Sequence, residues 1–279
     1  MEGIIIKNIS NDYTVLVKNQ LYTCKSRGKF RNLHITPVVG DYVEFDEKKN
    51  YIENILPRKN SLVRPPIANI DQAILVTSVK NPDFSTNLLD KLLVTIEYNS
   101  IKPIICLTKM DLLTEEEKEN IKPILEYYKK IGYTVIENKE IDTIKELFKK
   151  KVTVLTGQSG AGKSTLLNRI DSTLQLKTDD ISYALGRGKH TTRHVELLPI
   201  ESGFVADTPG FSSLQFSMLG MDKTAIRDNF IEFEEYKEHC KYKDCMHIKE
   251  NDCFVKENVG KSILETRYQN YVKFIEEIR

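Results

Sequence analysis

From Tyr13 to Leu56 the chain sets short apolar and β-branched runs between turn-rich segments. "YTVLV" from Tyr13, "LYTC" from Leu21, "DYVEF" from Asp41 and "YIENIL" from Tyr51 predict the strands of a small barrel. From Ile70 the period changes. The apolar run "QAILVTSV" is followed by a stretch with Leu88, Leu89, Leu92, Leu93 and Ile96 on one helical face. Then come "PIICLT", an acidic helix from Thr114, "YTVI", a helix through Leu147 and Phe148, and "VTVLT". Strands alternating with amphipathic helices predict a parallel sheet covered by helices. "VELLPI" and "GFVAD" add two strands before Asp207. After about Leu214 the strand pattern ends, and a final helix carries Leu264, Tyr268, Tyr271 and Ile275 on one side. The predicted division is therefore a barrel over 1–64, an α/β domain over 65–214 and a mainly helical segment over 215–279, with Pro65-Pro66 at the first boundary.

Composition changes this picture little. The chain has 279 residues, 40% hydrophobic and 29% charged, with a formal net charge of +1, so any nucleic-acid contact must come from local patches. Two basic loops are candidates: "KSRGKFR" at 25–31, with Phe30 among four basic residues, and "PRKNSLVR" at 57–64. No stretch reaches the roughly 20 apolar residues of a spanning helix, and a cytoplasmic protein is expected. Cys24 and Cys106 lie in strand-like runs. Cys240, Cys245 and Cys253 instead cluster with histidines, which in a cytosolic chain points to metal and not to disulfides.

The strongest chemical signal is "GQSGAGKS". Gly157, Gln158, Ser159, Gly160, Ala161, Gly162, Lys163 and Ser164, followed by Thr165, lie between a buried-strand run and a helical one. Such a loop converges backbone N–H groups on a β-phosphate at the positive end of the helix that follows. Lys163 supplies charge to the β- and γ-phosphates, and the Ser164 hydroxyl suits Mg²⁺. Asp207-Thr208-Pro209-Gly210 ends the strand "GFVAD". Asp207 can act on Mg²⁺ through water, and the Gly210 N–H can sense a γ-phosphate. Between these pieces lies "GRGKHTTRH" at 186–194, where Thr191 or Thr192 would complete the Mg²⁺ shell.

"TKMD" at 108–111 ends the strand "PIICLT", at the rim where open sheets bind ligands. Asp111 can accept from the N1–H and exocyclic amine of guanine, a pair of donors that adenine lacks. Lys109 would lie along the nucleotide and tie this loop to the P-loop, with Thr108 opening the motif.

The order TKMD, GQSGAGKS, HTTRH, DTPG resembles that of the circularly permuted GTPases acting on the small ribosomal subunit, the ribosome small-subunit-dependent GTPase A family. The resemblance spans essentially the whole chain. It implies an N-terminal OB-fold that binds RNA, a permuted P-loop GTPase domain, and a zinc module after it. It further implies GTP hydrolysis in late maturation of the small subunit, stimulated by the subunit and its rRNA. Thr108 replaces the asparagine of many members, and Glu137-Asn138 is the candidate for the second base loop. Phe211 stands where Ras-like enzymes carry a water-orienting glutamine. The family resemblance therefore assigns catalysis to His190, with Lys163 and Thr192 beside it, whereas His194 reads as a packing or surface residue.

Cys240, Cys245, His247 and Cys253 have the spacing C-x4-C-x-H-x5-C, suited to a closed and therefore structural zinc shell, with His239 as a substitute ligand. The thin apolar supply of this segment makes metal a large part of its folding free energy. The expected protein is a monomer that binds GTP, GDP and Mg²⁺, holds one zinc, and docks on the small ribosomal subunit. The other readings are an ATP-dependent P-loop enzyme, which leaves Asp111 without a task, and a zinc-stabilised RNA-binding protein with a passive nucleotide site.

Overall fold

The computed structural model describes residues 1–28, 30, 35–176, 195–207 and 215–278. Its first strands are β1 (Glu2–Ile9), β2 (Asp12–Val17), β3 (Gln20–Ser26), β4 (Tyr42–Asp46) and β5 (Tyr51–Ile55). They close a barrel in the order β1-β2-β3-β5-β4, with β3 and β5 parallel and the other described pairs antiparallel. Ile5, Val15, Cys24, Val43, Phe45 and Ile52 fill it. The alternation of inward apolar and outward polar positions in β2 to β5 is what the sequence shows. The sequence pattern alone does not single out β1, because "GIIIK" reads as one short apolar run. That strand closes the barrel by pairing with both β2 and β4.

β6 (Ser61–Val63) and β7 (Pro66–Ala68) form a hairpin, with Arg64-Pro65 at its turn and Pro66 opening β7. The chain continues through β8 (Gln72–Ser78), α1 (Thr86–Tyr98), β9 (Lys102–Thr108), α2 (Glu115–Lys130), β10 (Thr134–Glu137), α3 (Ile141–Phe148), β11 (Val152–Gly157) and α4 (Lys163–Ile170). It ends with β12 (Leu198–Ile200), β13 (Gly203–Asp207), α5 (Lys223–Asp228), α6 (Glu234–Lys237), α7 (Phe254–Glu257) and α8 (Glu265–Glu277). Local signals explain the helix starts. Ser85 caps α1 by accepting from the Leu88 N–H. Thr114 and Glu117 form a reciprocal capping box on α2, whose first turn is acidic and whose last turn carries Lys129 and Lys130.

By backbone contacts the chain divides into two compact units. One comprises Met1–Ile74, Lys139–Thr156 and Gly162–Phe211; the other comprises Leu75–Asn138, Gly157–Ala161 and Ser212–Arg279. In the first unit, β11 pairs in parallel with β13, and β12 lies antiparallel on the far side of β13. Of "VELLPI", only Leu198–Ile200 forms strand in this sheet; Glu196 and Leu197 instead contact β1 through Lys7 and the Ile6 carbonyl. In the second unit the strand order is β10-β9-β8, with β10 and β9 parallel.

The second unit also carries an aromatic core made by the C-terminal helices and Val94 of α1. Phe216, Phe230, Phe233, Tyr271 and Phe274 are buried in it, with Phe230 stacked on Phe233 at 5.3 Å. The C-terminal segment is thus less poor in apolar groups than its sequence suggests, because a few large rings replace many aliphatics. The buried stripe of α8 is Arg267, Asn270, Tyr271, Phe274 and Ile275. It is rotated from the expected Leu264, Tyr268, Tyr271 and Ile275. Two polar residues face inward, and Leu264 serves as the N-cap position.

Candidate functional site: nucleotide loops and a metal centre

The candidate base-reading loop begins as β9 ends. Thr108 is buried, and its hydroxyl donates to the Ala161 carbonyl at 2.7 Å. Lys109 follows in the left-handed region with φ 62°, which turns the chain into a 3-10 turn over Met110–Leu112 and leaves Asp111 exposed at the rim. The Lys109 ammonium donates to the Asn81 carbonyl. The tie to the P-loop that the sequence suggests for Lys109 is therefore made by Thr108, whose single proton is committed to it. Asn138 donates its backbone N–H to the Leu107 carbonyl at 2.8 Å, so Glu137-Asn138 lies at the same strand ends.

In the front of the P-loop, Gly157 has φ 139°, and a Cβ there would lie 2.2 Å from the Val76 carbonyl oxygen. No side chain can occupy that position without displacing β8. Gly160 and Gly162 also have positive φ, at 75° and 95°, which curls the loop, while Ala161 is fully buried. Gln158 accepts the Ala161 N–H, and Ser159 and Gly160 are exposed. Gly162 precedes the first turn of α4, which opens with Lys163, buried Ser164 and exposed Thr165. The first turn of a helix points its backbone N–H groups outward at the positive end of the helix, an arrangement suited to phosphate. β13 brings Asp207 level with Leu155, two residues before Gly157. His190, Thr191, Thr192, His194, Thr208, Pro209, Gly210 and Phe211 lie outside the described residues.

The second constellation is metal-binding in character. The ligand atoms of Cys240, Cys245, His247 and Cys253 lie within 4.8 Å of one another, and all but Cys240 are buried. The sulfurs of Cys240 and Cys253 are 3.9 Å apart, and His247 Nδ1 lies 3.6 and 3.4 Å from them. A tetrahedral cation of zinc's size would set sulfur–sulfur edges of about 3.8 Å and sulfur–nitrogen edges of about 3.6 Å. The cluster could therefore hold a metal ion. Burial brings the His247 pKa down to about 4, which keeps the imidazole neutral and able to ligate. Burial also pushes the Cys253 thiol up to about 12, so a cation must displace its proton. Glu250 shapes the knuckle by accepting the N–H groups of Met246, Ile248 and Lys249. His239 is exposed and packs against Phe254 at 5.1 Å, outside the cluster.

On the barrel, Phe30 is buried, with 6% of its surface exposed. It serves the core and not a base-stacking surface, which leaves Lys25 and Arg27 as the described basic side chains of that loop. Lys29 and Arg31 lie outside the described residues.

A group that sequence reasoning missed lies in the second unit. Arg267, fully buried, makes a bidentate pair with Glu232 and donates to Asp90 at 2.6 Å. Asp90 also accepts from Tyr128 at 2.6 Å and from Asn270 at 2.7 Å. Burial holds the Tyr128 hydroxyl well above its usual range, so it remains a donor. The available signal was an aspartate inside the apolar run "LLDKLLV", together with Arg267 and Asn270 on the spacing i, i+3, i+4 with Tyr271.

Similarity to known proteins extends over the whole chain. The RsgA N-terminal domain family matches residues 2–52, and the RsgA GTPase family matches residues 55–217. The chain is 53% identical to "Small ribosomal subunit biogenesis GTPase RsgA 2" of Oceanobacillus iheyensis, covering 100% of this chain and 97% of that protein. It is 50% identical to the RsgA 1 of Listeria monocytogenes, over 100% of this chain and 98% of that one. Among solved structures it resembles YloQ, a circularly permuted GTPase, with a TM-score of 0.83 at 42% identity, over 99% of this chain and 94% of that one. YjeQ from Thermotoga maritima gives a TM-score of 0.82 at 36% identity, over 99% and 98%. With both family signatures, full-length relatives and a permuted-GTPase fold in agreement, the chain belongs to the RsgA GTPase family.

Proposed function

We infer that this chain is a GTPase of small ribosomal subunit biogenesis, hydrolysing GTP to GDP and phosphate in the late maturation of the subunit. The observation that carries this is the Thr108 hydroxyl on the Ala161 carbonyl. It joins the guanine-reading motif to the front of the P-loop in a chain whose relatives bear that name. Asp111 and Lys109 select the base, and Thr108 holds their loop in register. Gly157, Gln158, Ser159, Gly160, Ala161, Gly162, Lys163, Ser164 and Thr165 cradle the phosphates. Ser164 and Thr192 would hold Mg²⁺, which neutralises phosphate charge when bound. Asp207 would act on Mg²⁺ through water, Gly210 would report the γ-phosphate, and His190 would complete catalysis when a partner binds.

The Cys₃His cluster suits one structural zinc, on the grounds of its donor set and the burial of three of its four ligands. The functional division we carry forward is an RNA-binding barrel over 1–64, a nucleotide domain over 65–214 and a metal-stabilised helical module over 215–279. The protein would act as a monomer in the cytoplasm; among the described residues no helix is long and apolar enough to cross a membrane.

Phosphate release from GTP and from ATP, each with and without purified small subunits, tests the reading. GTP-selective turnover raised by subunits and abolished in Lys163→Ala is expected. In Asp111→Asn, preference should move from guanine toward xanthine nucleotides, whose edge presents the complementary pattern. ATP-selective turnover would overturn the assignment of Asp111.

A further inference from the structure

We propose that Asn270 is a positioning residue for the nucleotide site, through which the C-terminal helix α8 sets the placement of the loop at 79–85 and so the rate of nucleotide release. Asn270 is 4% exposed, and its side-chain amide holds three residues of α1 at once. Its Nδ2 donates to Asp90 Oδ2 at 2.7 Å and to Thr86 Oγ1 at 3.3 Å, and its Oδ1 accepts from Asn87 Nδ2 at 3.2 Å. Thr86 and Asn87 are the first two residues of α1, directly after its cap at Ser85. The grip therefore falls on the end of the helix nearest the nucleotide loops.

The segment before that cap touches both loops. The Asn81 carbonyl accepts from Lys109, in the base-reading motif. Pro82 faces Gly160 of the P-loop front, where a Cβ would come within 3.7 Å of its ring. Val79 donates its N–H to the Thr108 carbonyl at 3.2 Å. Three residues, Asp83 to Ser85, thus separate the contact at Pro82 from the grip of α8 at Thr86, and Thr86 opens a capped helix that moves as a body. Arg267, one turn earlier on α8, fixes Asp90 from the same side and makes the attachment rigid. A shift of the C-terminal module along α1 is thereby delivered to the 79–85 loop, because helices transmit displacement with little internal give.

The proposal rests on residues 108–111 and 157–164 forming the nucleotide site, and its test separates the two claims. Release of a fluorescent N-methylanthraniloyl GDP is timed from the parent protein, Asn270→Ala, Asn87→Ala, the double variant and Ile263→Val. The last is a cavity-making change in the C-terminal core, used as a control. Urea midpoints are measured for each. Asn270→Ala and Asn87→Ala should each speed release about fivefold, the factor one net hydrogen bond is worth. The double variant should release no faster than Asn270→Ala, since both remove one connection. Ile263→Val should release at the parental rate despite a lower urea midpoint. Parental release in both single variants, or acceleration in Ile263→Val that tracks stability, would overturn the proposal. Should Asn270→Ala not fold, half-buried Asn87→Ala carries the same test alone. A parent that binds no GDP would overturn the nucleotide reading and this proposal with it.

Discussion

Two polar clusters lie in the second unit, and they are satisfied in opposite ways. Around Arg267 the chain supplies both signs of charge: one guanidinium meets Glu232 and Asp90, with Tyr128 and Asn270 completing the carboxylate. Phe230 lies 4.8 Å beneath the guanidinium as a further favourable face. At Cys240, Cys245, His247 and Cys253 the chain supplies four electron-pair donors and no acceptor of matching charge. The first cluster closes on its own. The second could be completed by a cation. A buried polar group must be paired somewhere, and what the chain leaves out identifies the ligand class.

Removing the metal should break the second cluster with the largest effect, since structural zinc contributes on the order of 10 kcal/mol to small domains. Chelation, or Cys253→Ala, is expected to abolish hydrogen-exchange protection across residues 230–278 while the barrel keeps its own. Protection unchanged by chelation would show that the aromatic core suffices. Next in size is Arg267→Met, which strands two buried carboxylates and should lower stability by about 3–5 kcal/mol in urea titration. Adding Asp90→Asn and Glu232→Gln should recover part of that loss, because the uncompensated charge goes with them. No recovery would mean that packing of the guanidinium, and not charge balance, dominates. The smallest effect separates the clusters by pH. Cys245 and Cys253 thiols are raised by burial in the metal-free state, so metal binding expels protons and apparent affinity should rise with pH between about 6 and 8. Asp90 is also pushed up by burial, but its partners are internal, and no comparable metal dependence is expected at that cluster. Competition with a chromophoric chelator at several pH values checks the slope.

Much of the candidate nucleotide site was legible because its chemistry is local. Gly157 through Ser164 occupy consecutive positions, and the φ of 139° at Gly157 is a demand that the residue type itself announces. The Cys₃His cluster was legible for the same reason: its four ligands fall within fourteen residues, and spacing nearly dictates proximity. β1 was harder, since its pairing with both β2 and β4 depends on barrel closure and not on its own alternation. Phe30 between basic neighbours looked like a stacking residue, and only burial assigns it to the core.

By itself the sequence determined the alternation of strands and helices, the permuted order of the motifs and the membership of the Cys₃His cluster that could hold a metal ion, all properties carried by neighbours within a turn or a loop. Tertiary structure alone decided that Thr108 spends its proton on Ala161, that Lys109 reaches Asn81, and that Asn270 grips residues more than 180 positions earlier in the chain. The physical reason is that these hydrogen bonds join groups far apart in sequence. Each partner's need is visible locally, but which group meets it depends on how the elements pack.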